Sequence, residues 1–153
     1  MKMMRKIKLI NWHGFFNDSI DVNGALLVTG DNGSGKSTLL DAIFFLLTGG
    51  DDNRFNAAAN ENANRTLTSY MRGKTGIEGK QFLRNSPDLI SHIALEFFDD
   101  SIRAPFTIGV VLEIQEGTEK VGRNFYHIKN TGIDDNFYTV IDQSGKLSVC
   151  NFR

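Results

Sequence analysis

A single cysteine, Cys150, stands among the 153 residues. No internal disulfide can therefore form, and no zinc site can be built on paired thiolates. Such sparing use of thiol fits a reducing compartment. Neither sign of charge is in excess: 17 Lys and Arg face 18 Asp and Glu, a net charge of −1. This excludes a uniformly basic nucleic-acid coat and an acidic tail, and leaves room for a local basic patch. Long apolar runs are missing as well. The longest, Ala42 to Leu47, has six residues, against about 20 for a spanning helix. Lys2, Arg5, Lys6 and Lys8 open the chain, but Ile10 gives way at once to Asn11, Trp12, His13 and Gly14. No apolar signal core follows the basic residues, so a cytoplasmic protein with no membrane partner is expected. The sequence holds no internal repeat and no low-complexity tract.

What is present can build a core. Apolar residues make up 41% and charged residues 23%, with 12 Phe, which argues against disorder. The length suits one domain. Ile7, Leu9 and Asn11 alternate with Lys6, Lys8 and Ile10, the pattern of a half-buried strand. A turn near Gly14 leads into a short strand from Phe16 to Val22, and Asn23-Gly24 marks a tight turn. Ala25 to Thr29 is apolar and partly β-branched, and predicts a fully buried central strand. Leu39 to Leu47 predicts a helix that is apolar almost all round, hence buried inside a domain. Thr48-Gly49-Gly50 ends it.

From Asp51 the signals change. Asn53, Asn56, Asn60, Asn62 and Asn64 precede Arg65, with few large apolar residues between them. The span 51–90 is expected to be a polar insertion, with short helices over Ala57–Ala63 and Arg65–Arg72. It carries Arg54, Arg65, Arg72, Lys74, Lys80 and Arg84. After Pro87 the period becomes two. Ile93, Leu95 and Phe97 alternate with His92, Ala94 and Glu96. Further strands are expected over Phe106–Gln115, Val121–Lys129, Phe137–Asp142 and Leu147–Phe152, with Ser144-Gly145 as a hairpin turn. The expected fold class is α/β: strand, loop, helix, polar insertion and then an antiparallel β meander.

One motif carries chemistry. Gly30-Asp31-Asn32-Gly33-Ser34-Gly35-Lys36-Ser37 matches G-x-x-x-x-G-K-[ST] at every fixed position. Gly30, Gly33 and Gly35 let the backbone curl until several N–H groups face one anion. The helix opening near Gly35 adds its positive dipole end. Lys36 brings a full charge to the β- and γ-phosphates and is the expected catalytic residue. Ser37 offers a hydroxyl to Mg²⁺, a hard ion that prefers oxygen. The expected ligands are ATP and Mg²⁺, held by Gly30 to Thr38.

Such a loop binds nucleotide, whereas hydrolysis also needs a strand-end carboxylate for the metal and a group that orients water. Ile93 to Asp99 looks like an apolar strand ending in an acid, but Glu96 interrupts the run. Val110 to Glu113 has the same weakness, and the alternation reads as one-sided structural strands. No Ser-Gly-Gly nucleotide motif occurs. His13, His92 and His127 lack metal spacing and read as packed or surface histidines. Cys150 reads as core.

The run from Thr29 to Ile43, Thr-Gly-Asp-Asn-Gly-Ser-Gly-Lys-Ser-Thr-Leu-Leu-Asp-Ala-Ile, resembles the N-terminal lobe of SMC and Rad50-type ATPase heads. Ile7-Lys8-Leu9-Ile10-Asn11-Trp12-His13-Gly14-Phe15 resembles the strand and loop that those heads place before the phosphate loop. Phe55 to Ala58, Arg65 to Lys74 and Ser91 to Phe97 are similar to the Wadjet-type SMC subunit family JetC, and more distantly to MukB. The resemblance implies an ABC-type head, whose second lobe supplies the signature motif and a further metal-binding acid. It implies a long coiled coil, dimerisation with a second head, kleisin-type and accessory subunits, and action on DNA, with plasmid defence in the Wadjet family. It places Trp12 to Phe16 near the nucleotide base, against the alternative that Trp12 and Phe15 are core. Arg65 and Arg72 fall where SMC heads carry an arginine that reaches nucleotide or DNA, against the alternative of a solvated face. The family's Q-loop has no counterpart here, and Gln143 sits beside a hairpin turn.

On this reading residues 1–153 form a single N-terminal head lobe. Arg153 follows a strand-like segment without a closing loop, so a longer chain is expected. An ABC transporter-type ATPase lobe would look alike locally. A stand-alone nucleotide-binding module without turnover is the non-enzymatic rival. The meander argues against a small kinase, which would continue in parallel βαβ units.

Overall fold

The computed structural model of the chain describes residues 1–31, 33–55, 65–75, 81–118 and 120–152. Its backbone is a five-stranded antiparallel sheet in the order β2-β1-β5-β6-β7. The strands are β1 (Lys2–Trp12), β2 (Phe15–Asp21), β5 (Leu89–Asp99), β6 (Ala104–Ile114) and β7 (Gly122–Lys129). Between β2 and β5 come α1 (Lys36–Leu47), a 3-10 turn (Asp52–Arg54), α2 (Leu67–Arg72) and the two-residue strands β3 (Lys74–Thr75) and β4 (Gln81–Phe82). A second 3-10 turn (Asp135–Phe137) precedes the hairpin of β8 (Thr139–Ile141) and β9 (Leu147–Val149). The architecture is α/β, an antiparallel sheet with α1 packed on one face.

Two apolar clusters fix the layers. Side chains with period two from the central strands meet α1 on one face: Ile7 and Leu9 from β1, Ile93 and Leu95 from β5, Val110 and Leu112 from β6. Ala42, Phe45 and Leu46 of α1 pack onto them. The register sets Ile7 opposite Leu95 and Leu9 opposite Ile93. On the other face Ile10, Ala94, Ile133 and Tyr138 form a smaller cluster, joined by Tyr126 and Val149.

Burial therefore departs from the expected one-sided pattern. Lys8, predicted to face water, is buried. Its ammonium reaches Asp135 at 2.7 Å and Ser19 Oγ at 3.2 Å. A cation is tolerated there because its charge and donors are satisfied. The back-face cover also shortens the last strands. Phe137 ends a 3-10 turn instead of starting a strand, and the strand expected through Phe152 stops at Val149.

Two further expectations are corrected. Ala25 to Thr29 is not a buried central strand. Ala25 makes an isolated bridge to Asn23, no described strand pairs with residues 26–29, and Leu27 is 86% exposed. Apolar β-branched composition favours a strand only where a neighbour accepts its hydrogen bonds. The phosphate-loop helix is not buried all round either. Leu40, Phe44 and Leu47 form an exposed stripe at i, i+4 and i+7. The helix expected over Ala57–Ala63, and Lys80, lie outside the described residues.

His92 makes the back face sensitive to acid. It is fully buried on β5, with Nε2–H donating to the Cys150 carbonyl at 2.6 Å. Its Nδ1 has no described partner. Burial pushes its pKa down to about 4, and Lys8 adds to the effect, against the bond to Cys150. The unfolded chain takes up this proton near pH 6.5, before the folded chain does. Stability is thus complete above pH 6.5, falls as pH drops toward 4, and levels off below. The expected loss is about 3 kcal/mol. Urea unfolding at pH 7.5, 5.5 and 4.5 measures it, and His92→Gln should flatten the profile between the first two. An unchanged profile in that variant would remove His92 as the cause.

Candidate nucleotide-binding site

The phosphate loop takes its shape from backbone that side chains rarely adopt. Gly30, Gly33 and Gly35 have φ of 152°, 86° and 95°. At Gly30 a Cβ would also lie 2.5 Å from Ser34 Oγ. The Ser34 N–H donates to the Asp31 carbonyl at 3.1 Å, closing a turn. Gly35 is the N-cap of α1, and the Leu39 N–H donates back to it at 2.9 Å. The first turn of α1 holds no acidic residue, so the free N–H groups and positive dipole end face outward uncompensated. Lys36 lays its ammonium on the Gly30 and Asp31 carbonyls, the latter at 2.8 Å. Ser37 is exposed, and Thr38 is buried behind it.

These residues line a cavity of about 200 Å³ with walls of His13, Gly33, Gly35, Lys36, Ser37, Thr38 and Arg65. Lys36 and Arg65 bring two full positive charges to it. The donor set is backbone N–H, ammonium, guanidinium and hydroxyl, which suits a polyphosphate with a hard cation. Asn32 lies outside the described residues. Among the described residues no group of three or more His, Cys, Asp or Glu could hold a metal ion.

Arg65 and Arg72 part company. Arg65 lines the cavity and donates from Nη1 to the Tyr70 hydroxyl at 3.0 Å. Arg72 turns away, giving Nη1 to the carbonyls of Ser86 at 2.9 Å and Arg84 at 3.4 Å. The short helix expected over Arg65–Arg72 starts only at Leu67, so Arg65 precedes it.

The expected base contact at Trp12 is also corrected. Trp12 is fully buried, stacked on Tyr70 with ring centroids 4.5 Å apart and planes at 15°. Its indole N–H donates to the Thr38 carbonyl at 2.9 Å. Positive φ at Asn11 (51°) and His13 (46°) twists the end of β1 and directs the indole inward. The indole thus ties β1 to the first turn of α1. Phe15 is half-buried and lies against Gly35; Phe16 is exposed under the Arg84 guanidinium.

Two groups supporting the cavity escaped sequence reasoning. Tyr70, on α2, donates its hydroxyl to the Asp41 carboxylate on α1. Burial raises its pKa above the usual phenol range, and the bond to Asp41 raises it further. Arg84 is buried, and its guanidinium donates to Asn11 Oδ1 and to the carbonyls of His13, Met71 and Phe15 at 2.9–3.1 Å. Only the isolated basic residues hinted at these contacts. The partners are too far apart in sequence for a pattern to show. His13 completes the wall. Desolvation lowers its pKa, the bond to Lys74 opposes this, and Arg65 and Arg84 lower it further.

Glu96 accepts from the Ile133 N–H at 2.7 Å on the back face, away from the loop, as a structural residue does. Gln143 lies in the turn between β8 and β9.

The P-loop containing region of the AAA domain matches as a family model over residues 4–62. The DNA double-strand break repair Rad50 ATPase of Aeropyrum pernix is 38% identical over 66 residues. That stretch is 42% of this chain and 7% of the Aeropyrum protein. The sequence likeness is to a Rad50-like P-loop ATPase, and with the fold it supports an ATP-binding, SMC-like lobe. No helix among the described residues is long and apolar enough to cross a membrane.

Proposed function

We propose that residues 1–153 are the N-terminal lobe of an SMC-type ATPase head that binds Mg·ATP and contributes half of a hydrolytic site. The carrying observation is the phosphate loop opening α1 with Lys36 and Arg65 on one cavity. On this reading Gly30 to Thr38 cradle the phosphates through their N–H groups. Lys36 meets the β- and γ-phosphates, and Ser37 holds Mg²⁺. When bound, Mg²⁺ would supply charge neutralisation at the phosphates. Arg65 adds charge at the cavity wall.

The uncovered surfaces support a missing second lobe. Leu26, Leu27 and the Leu40–Phe44–Leu47 stripe are exposed around the loop, where a further lobe would give them cover. Span 51–90 remains our proposed insertion over this lobe. The finer reading, also proposed, is a cytoplasmic Wadjet-type head that dimerises, carries kleisin-type and accessory subunits, and moves DNA in plasmid defence.

Titration of the intact protein with Mg·ATP, followed by light scattering, tests the proposal. The expected result is saturable binding and ATP-dependent pairing of heads, with slow hydrolysis that DNA accelerates. Binding without pairing or turnover would overturn the motor in favour of a stand-alone nucleotide-binding module. No binding would overturn the nucleotide reading itself.

A further inference from the structure

Arg65, like His13, lines the cavity from outside the phosphate loop. It precedes α2, and the loop's curl constrains only residues 30 to 38. Among the described residues it is held by Tyr70. A phenol hydroxyl has one hydrogen and can accept through its lone pairs. Asp41 takes the hydrogen. Toward Arg65 the hydroxyl is therefore an acceptor only, which matches the donor it meets.

The Tyr70 ring is fixed in turn. It stacks on Trp12 and meets the edge of Phe55 at 5.0 Å and 81°. Asp41 lies one turn beyond Ser37 on α1, so the helix that leaves the phosphate loop also anchors Tyr70. Guanidinium is a planar fork with five N–H donors. Once one of them is set on Tyr70, the plane of the rest is constrained.

We infer that Tyr70 is a positioning residue for Arg65 at the phosphate cavity, with Asp41 setting the direction of its hydroxyl. The inference rests on the nucleotide-binding reading above. Lys36 and Arg65 are both referred to one rigid element, α1, and present their charges in a fixed relation before ligand arrives. Pre-organisation of this kind raises affinity by sparing the ordering of a long side chain on binding.

The test is a double-mutant cycle in the intact protein, read by calorimetric titration with Mg·ATP. Tyr70→Phe keeps the ring and its stacking and deletes only the hydroxyl. It should weaken binding about fivefold to tenfold, as loss of one orienting hydrogen bond does. Arg65→Ala should weaken it about tenfold. The double variant should bind no more weakly than Arg65→Ala alone, since Tyr70 acts through Arg65. Additive losses would overturn the inference, because a merely structural Tyr70 acts independently. Parent-like binding by Tyr70→Phe or by Arg65→Ala would overturn it too. Arg65→Lys keeps the charge but cannot hold Tyr70 and face the cavity with one fork. It should bind like Arg65→Ala, and full affinity there would overturn the inference without relying on any Tyr70 variant. A parent that binds no Mg·ATP would overturn the nucleotide reading and this inference together, a result distinct from all the others.

Discussion

Alanine at position 36 is expected to weaken Mg·ATP binding about 100-fold, the largest effect at the site, from loss of a charge-assisted contact worth about 1.5–3 kcal/mol. The ammonium lies on the Gly30 and Asp31 carbonyls, at the mouth of the loop. Alanine removes the charge and leaves the N–H groups of the loop and α1 in place, so residual binding should persist at high nucleotide concentration. Both carbonyls belong to exposed residues, and water can replace the ammonium there. The melting temperature should then move little, within the effect of about 0.5 kcal/mol usual for surface changes. Calorimetric titration with a parallel melt separates the two quantities. Affinity within threefold of the parent would remove Lys36 from phosphate recognition.

Arg84→Ala should cost about 3–5 kcal/mol of folding stability, with several oxygens losing their donor at once. Nε meets Asn11 Oδ1, Nη1 meets the carbonyls of His13 and Met71, and Nη2 meets that of Phe15. Those acceptors belong to the closed end of the β1–β2 hairpin and to α2. With six residues, α2 is too short to persist on its own propensity. It is held by its Thr66–Ser69 capping box, its buried Leu67, Tyr70 and Met71, and the Arg84 clamp. Loss of the clamp should loosen the wall that carries His13 and Arg65, and so weaken nucleotide binding as well. Arg84→Lys should rescue little, because one ammonium cannot span oxygens spread around a planar fork. Urea denaturation measures the first effect. A midpoint for Arg84→Ala equal to the parent's would show that the turn and α2 hold together without the clamp.

Local grammar made much of this lobe legible. The curl from Gly30 to Ser37 is written in consecutive residues, because glycine spacing and helix onset are local properties. Strands β5, β6 and β7 announced themselves through period two, and the β8–β9 turn through Ser144-Gly145. The failures share one cause. Ala25 to Thr29 has the composition of a buried strand, but burial depends on neighbours that composition does not name. Trp12 sits in a stretch resembling a base-contact loop, yet two positive-φ residues turn the indole into the core. Lys8 looked solvent-facing until Asp135, 127 positions away, closed over it. Arg84 acts through partners 13 to 73 positions distant, and Tyr70 meets Asp41 across 29. Nothing periodic links such residues, so only the folded chain brings them together.

The order of the sheet bears on how the protein is made. β1 lies between β2, its immediate successor, and β5, which is not complete until Asp99. During synthesis the β1–β2 hairpin exists while the inner edge of β1 still waits for its partner. At about 5–20 residues per second, that wait lasts roughly 4–17 s. An apolar strand edge left open so long can pair wrongly. The Met4/Lys6 irregularity, where the β1–β5 register shifts, makes β1 a poor template for any flat strand other than its own. The slow step in acquiring this fold should therefore be the docking of β5 on β1, with the phosphate loop already translated and suspended between them.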